Sequence, residues 1–481
     1  MRYLQQKTQS LSPEFLLLLL LLFWIPVEST MLGRAYTFLV DLNSASLERD
    51  MSTVYVKWLL LFTIAAPLLI AIITRPSLRP PMDPPGPMRL VRFGIATWMT
   101  GAVISTLANL SDPHVVLDAA AAIISGGMVF LAVRRVDLDT PRHYELACRA
   151  ILFGALIPCL IDLYRYYAAW GIPSLTGVIL NKYKPEFWSS QCYFGNPDNA
   201  SAAYGLFAML AIGVLSAQVF RRSTRLLAIA TLLPCSLEVV LTMARTGIVF
   251  LAFALLLGAI YSRRKRVLIV IAAVVLALSL AATSSITEVL AKYFQPAVTY
   301  DTQNSNTESR VESMEDGWKV FENHLLTGFG TGQTGTVMSE DVPHELAIWE
   351  ASEDGIFGLI GVLLIMAGCI WRLSILLWVG PRSWTARLDF AFFLAPGLYF
   401  VRGLVSNVAV SNTVFNTWIC ITCAMLAISG RALPWDSQTQ PDDVGPRVPW
   451  GQAPLAGWQP SAHALPHSML AAWPPSEGRD G

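Results

Sequence analysis

Long apolar runs alternate with short polar or basic segments along most of the chain. A run of about 20 apolar residues, rising 1.5 Å each, crosses roughly 30 Å of hydrocarbon as a helix. On that ruler the pattern predicts about twelve transmembrane helices. They cover residues 15–27, 55–74, 93–110, 114–133, 145–167, 199–220, 224–243, 246–262, 267–284, 355–379, 386–406 and 413–429. The first of these, "FLLLLLLLFWIPV" after Arg2 and Lys7, also has the form of a signal-peptide core. Residues 31–50 are mixed in character and read as an interfacial or re-entrant piece.

The expected fold class is therefore all-α. Residues 1–431 form a polytopic integral membrane domain that includes one large loop, 286–354, with helices of its own. Within the loop, Val311, Met314, Trp318, Phe321 and Leu325 follow three- and four-residue steps, so "VESMEDGWKVFENHLL" predicts an amphipathic helix. The preceding "TYDTQNSNTESR" is polar and reads as mobile, which puts Arg310 at or just before the helix start. Residues 432–481 are rich in Pro, Gly and Trp, show neither helical nor strand period, and are expected to be a disordered tail. There is no convincing internal repeat, no GxxxxGK[ST] and no HExxH.

Composition agrees with the pattern. Hydrophobic residues make up 54% and charged residues 14%, and the mean hydropathy is +0.50, outside the soluble globular range. The formal net charge is zero, so charge points to no nucleic-acid partner; membrane lipids are the expected surroundings. The basic residues are placed with a bias. Arg75, Arg79, Arg89 and Arg92, then Arg134, Arg135 and Arg142, then "RRSTR" and "RRKR", then Arg382 and Arg387 all fall on one side when spans are counted alternately. The positive-inside rule makes that side cytoplasmic. The loop 170–198, the junction at Arg245 and the loop 286–354 then lie outside, and the tail lies inside. Of seven cysteines only Cys192 falls in an outer loop, which argues against a disulfide framework. "CITC" lies within an apolar span and reads as packing.

The outer face carries the candidate chemistry. "TMARTGIVF" places Arg245 at a short junction between two spans. The plain reading is a snorkelling interfacial arginine; the sharper one is an anion site, because a guanidinium binds phosphate with a planar fork and keeps its proton. Glu238 precedes it by seven residues, two turns away on the same face, where it can pair through water or meet a substrate hydroxyl. Arg310 at a helix start would add a cation to a dipole's positive end. The glycines at 328, 330, 332 and 335 resemble a phosphate cradle but are explained as well by tight turns. His344, just before a helix that enters the membrane, is a candidate general base. "FGNPDNASAAYG" reads as a turn and helix cap, with Asn199 a candidate for the same cavity. Asp162 and Arg165 are spaced for an ion pair within one helix, and Arg402 and Asn407 near another outer helix end are secondary candidates.

Together these residues resemble the O-antigen ligases and the related O-antigen polymerases, polytopic glycosyltransferases that use lipid-diphosphate donors. "ARTG" resembles the family's "SRTG"-like motif, and "HLLTGFGTG" after Trp318 its glycine stretch. His344 and Glu345, followed by nine residues and then Gly355 and Gly358, resemble the ligases' His-[Asn/Ser/Gln]-x9-Gly-x-x-Gly. Glu345 and Ala244 depart from the pattern. The resemblance implies that Arg245 and Arg310 hold undecaprenyl diphosphate and that His344 activates the acceptor hydroxyl, with Glu345 facing the acceptor or turned away. It implies an inverting, metal- and cofactor-independent transfer to lipid A-core on the periplasmic face of the bacterial inner membrane. Extension of a growing glycan by a polymerase is the alternative within the family, and a polytopic transporter is the alternative outside it.

Overall fold

The computed structural model describes residues 12–35, 86–110, 126–127, 129–136, 138, 140–170, 197–242, 245–262, 300–331, 343, 345–381, 383–404 and 416–429, apart from positions 137 and 139 and some side chains within these stretches. Among the described residues there is no strand, as the pattern predicts. The helices are α1 (Pro13–Ala35), α2 (Pro87–Ala108), α3 (Val129–Arg135), α4 (Pro141–Trp170), α5 (Pro197–Ala217), α6 (Arg222–Leu241), α7 (Arg245–Ser262), α8 (Tyr300–Asn323), α9 (Leu346–Val379), α10 (Trp384–Arg402) and α11 (Asn416–Ser429). The expected spans 55–74 and 267–284, most of 114–133, the loop at 171–196 and the tail lie outside the described residues.

Five of these helices are long and apolar enough to cross a membrane: α2, α4, α5, α6 and α9. Two shorter apolar helices, Pro13–Val27 and Thr246–Ser262, accompany them. Pro87, Pro141 and Pro197 each stand at a first helical position, where a missing N–H costs nothing. Ser383 caps α10 by accepting the Ala386 N–H at 3.0 Å. The first apolar run belongs to the bundle. Phe15, Leu18, Leu21, Leu22 and Ile25 are buried, and α1 lies so close to α4 that a Cβ on Gly154 would sit 2.3 Å from the Phe23 carbonyl oxygen.

In a bilayer, helices associate by close packing rather than by expelling water, so small residues mark their contacts. The contact of α2 with α9 is of this kind. A Cβ on Gly94 would lie 2.6 Å from the Gly361 carbonyl oxygen, one on Gly361 2.6 Å from the Trp98 nitrogen, and one on Gly101 2.9 Å from the Gly358 nitrogen. Gly368 meets Pro87 and Val91 in the same way, so the two helices run antiparallel along one glycine seam.

The pairings sort the helix ends into two sets. Arg149 of α4 donates to Thr224 Oγ1 and Ser223 Oγ beside the start of α6, and Glu145 lies 3.4 Å from Arg221. Arg372 of α9 pairs with Asp389 of α10, and Gly213 of α5 abuts Ala391. Arg89, Arg92, Arg142, Arg149, Arg221, Arg222, Arg225 and Arg387 therefore share one end of the bundle. The starts of α5, α7 and α9 and the close of α10 share the other.

Candidate functional site

The site is built where two helix starts meet one helix end. Arg402, in the last turn of α10, is fully buried. Its Nη2 donates to Ser201 Oγ on α5 at 2.8 Å and to Thr246 Oγ1 on α7 at 3.2 Å. One guanidinium thus joins the first turns of two helices whose N–H groups face the same region. Gly247 makes this possible: a Cβ there would lie 2.7 Å from Ser201 Cβ. Any side chain at the glycine of "ARTG" would push α7 off α5 and draw Thr246 away from Arg402.

Two expected site residues enter through this geometry by their backbone positions. Arg245 is the first residue of α7, adjacent to Thr246, and Asn199 lies in the first turn of α5, two residues before Ser201. Glu345 joins from α9. It is the N-cap residue, in extended conformation, and makes no side-chain capping bond. Its Oε2 is buried without a hydrogen-bond partner. The next residue, Leu346, donates its N–H to the Gly403 carbonyl at 2.9 Å, which pins the start of α9 to the residue following Arg402. His344 and Asn407 lie outside the described residues.

Two sequence expectations change. The loop helix α8 begins at Tyr300, so Arg310 stands inside it and receives no helix-start dipole. The polar stretch read as mobile is helical; apolar periodicity starts only at Val311 and so marked the start too late. Glu238 and Arg245 do not share a helix face. α6 ends at Leu241 with Thr242 as its C-cap, and Arg245 opens α7, so the two residues belong to different helices that meet at the same end of the bundle. Glu238 is fully buried in the last turn of α6.

The glycine stretch after α8 is a docking loop. Phe329 N–H donates to the Ser352 carbonyl at 2.8 Å, Gly330 N–H to the Glu353 carbonyl at 3.2 Å, and Ile356 N–H to the Leu325 carbonyl at 2.8 Å. α9 supplies the Ser352 and Glu353 carbonyls and the Ile356 N–H because Gly355, at φ 66°, breaks its helical ladder. Gly328 also has positive φ (61°), and a Cβ there would meet the Glu353 carbonyl oxygen at 2.0 Å. The tight-turn reading of Gly328 and Gly330 holds, with α9 as the docking partner. α8 itself packs against α9, with Gly317 against Pro343 and Ile348.

Sequence reasoning missed the acids of "EASED". Glu350, Glu353 and Asp354 are all buried. Trp98 Nε1 donates to Glu350 Oε2 at 2.6 Å, Thr331 Oγ1 to Asp354 Oδ1 at 2.6 Å, and Ser105 Oγ to the Glu353 carbonyl at 2.7 Å. Three carboxylates within five residues at the mouth of an apolar run were the available signal. Also missed were Ser201 and Thr246, whose contact with Arg402 spans helices far apart in sequence. Asp162 accepts a hydrogen bond from Tyr204 of α5, and Arg165 is described only by its backbone.

Among the described residues, an all-helical bundle with five helices long and apolar enough to cross a membrane, basic residues gathered at one end and a buried arginine beneath two helix starts at the other, defines a class: helical membrane proteins. Residues 227–365 match the family model described as O-antigen ligase, so that segment is similar to this family. The matched segment runs from α6 into α9 and contains Glu238, Arg245, Arg310, His344 and Glu345; Asn199 and Arg402 lie outside it. No curated protein matches the chain.

Proposed function

We propose that this protein is an inverting glycosyltransferase of the ligase branch. It moves a glycan from undecaprenyl diphosphate to a lipid A-core acceptor at the periplasmic face of the inner membrane. The observation that carries the reading is the meeting of the α5 and α7 starts on buried Arg402, inside and beside the matched O-antigen ligase segment. Helix starts and guanidinium groups are the groups that recognise phosphate oxygens. They stand where a lipid-linked diphosphate must lie, at the end of a membrane bundle.

In the proposed step the acceptor hydroxyl oxygen attacks the anomeric carbon of the donor. The bond from that carbon to the diphosphate oxygen breaks, and the electron pair leaves with the diphosphate. His344 takes the hydroxyl proton, and Arg245, Arg310 and Arg402 offset the charge that develops on the leaving group. Asn199 and Glu345 border the acceptor side. The arginines do the work of charge neutralisation, so the reading calls for no metal or organic cofactor.

Reconstitution tests the reading directly. Purified protein supplied with labelled undecaprenyl-diphosphate-linked glycan and lipid A-core should transfer the label to lipid A-core. Lengthening of the glycan on its own lipid would make the protein a polymerase. Movement of substrate across liposomes without any transfer would replace the enzyme reading with transport.

A further inference from the structure

The first turn of α9 carries two buried polar groups that the folded chain leaves unused. Glu345 is half-buried, and its Oε2 is closed to solvent without a hydrogen-bond partner. Trp349 is 4% exposed, and its indole Nε1 is likewise buried without a partner. One group is an acceptor and the other a donor. The Trp349 backbone N–H donates to the Glu345 carbonyl at 3.0 Å, so the two residues stand one helical turn apart, at a spacing that brings side chains together. Elsewhere the same two residue types do meet. Trp318 Nε1 donates to Glu322 Oε1 at 2.8 Å across one turn of α8, and Trp98 Nε1 donates to Glu350 Oε2 at 2.6 Å between α2 and α9. At 345 and 349 they stay unbonded. A buried polar atom left unpaired costs free energy, and leucine with phenylalanine would fill such a space without that cost. The backbone holds the pair beside the buried guanidinium, since the Leu346 N–H donates to the carbonyl of Gly403, the residue after Arg402.

We infer that Glu345 and Trp349 bind one hydroxyl of the acceptor sugar, and so select the sugar to which the glycan is joined. This rests on the glycosyltransferase reading above. A hydroxyl donates one hydrogen bond and accepts others, so a single oxygen satisfies the carboxylate and the indole N–H at once. A carboxylate beside the leaving diphosphate would oppose the charge that develops there, which assigns the pair to the acceptor rather than to the donor's phosphates. Glu345 also follows His344, which in the proposed step takes the proton of the attacking hydroxyl. The hydroxyl that meets Glu345 and Trp349 is therefore a neighbour of the nucleophile on the same ring. A site built around a buried donor and acceptor rejects a ligand without the matching hydroxyl far more strongly than an apolar pocket rejects a change of size, because both groups are then left unpaired.

The test is steady-state transfer by the purified protein, with labelled undecaprenyl-diphosphate-linked glycan as donor and increasing amounts of lipid A-core. Glu345→Gln keeps the size of the side chain and removes its charge; Trp349→Phe keeps a ring and removes the N–H. Each should raise the acceptor KM about tenfold, a larger change than in kcat, and leave the donor KM within about twofold. An acceptor lacking the hydroxyl next to the point of attachment should be poor for the wild type, and the double variant should no longer discriminate against it. If Trp349→Phe does not insert, Glu345→Gln and the deoxy acceptor carry the comparison. An unchanged acceptor KM, or a fall in kcat alone, overturns the subsite. A rise in the donor KM instead would move the hydroxyl to the donor glycan and overturn the acceptor assignment. A wild-type protein that transfers no label to lipid A-core would overturn the ligase reading itself, and the subsite with it.

Discussion

Arg402 and Ser201 stand 201 positions apart and share a 2.8 Å hydrogen bond at a point fully closed to solvent. Ser201→Ala leaves a charged donor short of one acceptor, a loss of about 1.5–3 kcal/mol for hydrogen bonds to charged groups. The variant should unfold at lower temperature than the wild type in the same detergent. An unchanged melting temperature would show that the guanidinium is held without Ser201.

Arg245→Lys keeps the charge at the start of α7 and loses the planar fork. Most transfer activity should disappear although the protein inserts normally, because an ammonium group cannot engage two phosphate oxygens in the same geometry. Wild-type turnover in this variant would reduce Arg245 to an interfacial charge.

His344 is expected to accept the acceptor's proton. His344→Ala should retain donor binding, which the arginines supply, and lose about 10²–10⁴-fold in transfer, the usual range for one acid–base group. His344→Gln can hydrogen-bond but cannot carry the proton, so it should be no better. Single-turnover transfer and donor affinity decide this together; near-normal transfer by the glutamine variant would leave His344 a positioning role only.

Gly328→Ala tests the docking loop. Its positive φ and the 2.0 Å approach to the Glu353 carbonyl leave no place for a methyl group. Overpacking and backbone strain of this kind cost about 1–3 kcal/mol. The loop should lift from α9, seen as faster proteolysis between α8 and α9 along with a lower melting temperature.

The spans were legible where hydropathy alone decides. α4, α5, α6, α7 and α9 follow the expected apolar runs closely, because an uninterrupted apolar stretch has few alternatives to a helix in a bilayer. α8 was legible only from Val311 onward. Its first turns carry no apolar stripe, and a polar helix leaves no period to read. Arg245 was singled out from the sequence because a charge between two apolar runs stands out. The Ser201–Arg402–Thr246 junction was not, since it depends on how α5, α7 and α10 lie together. The Asp162–Tyr204 bond was hidden for the same reason: a spacing rule within one helix says nothing about a partner on another.

Orientation has its own test. Arg222 lies at the arginine-rich end of the bundle, and Lys319 is an exposed residue of α8. Cysteines at these two positions, with Cys192 replaced by serine, should react with a membrane-impermeant thiol reagent from opposite sides, Lys319→Cys from the periplasm. Labelling of both from one side would move the proposed site to the wrong compartment.

The seam between α2 and α9 has a further consequence for how a polyprenyl donor would travel. A contact that admits no methyl group at Gly94, Gly101, Gly361 or Gly368 admits no isoprenoid tail. The carrier cannot thread between these two helices, so its entry lies elsewhere on the circumference. Leu237 near the close of α6 and Val249 near the opening of α7 present apolar surface beside the Arg245 junction. A tail lying along that flank would slide sideways from the bilayer with its head already at the cations.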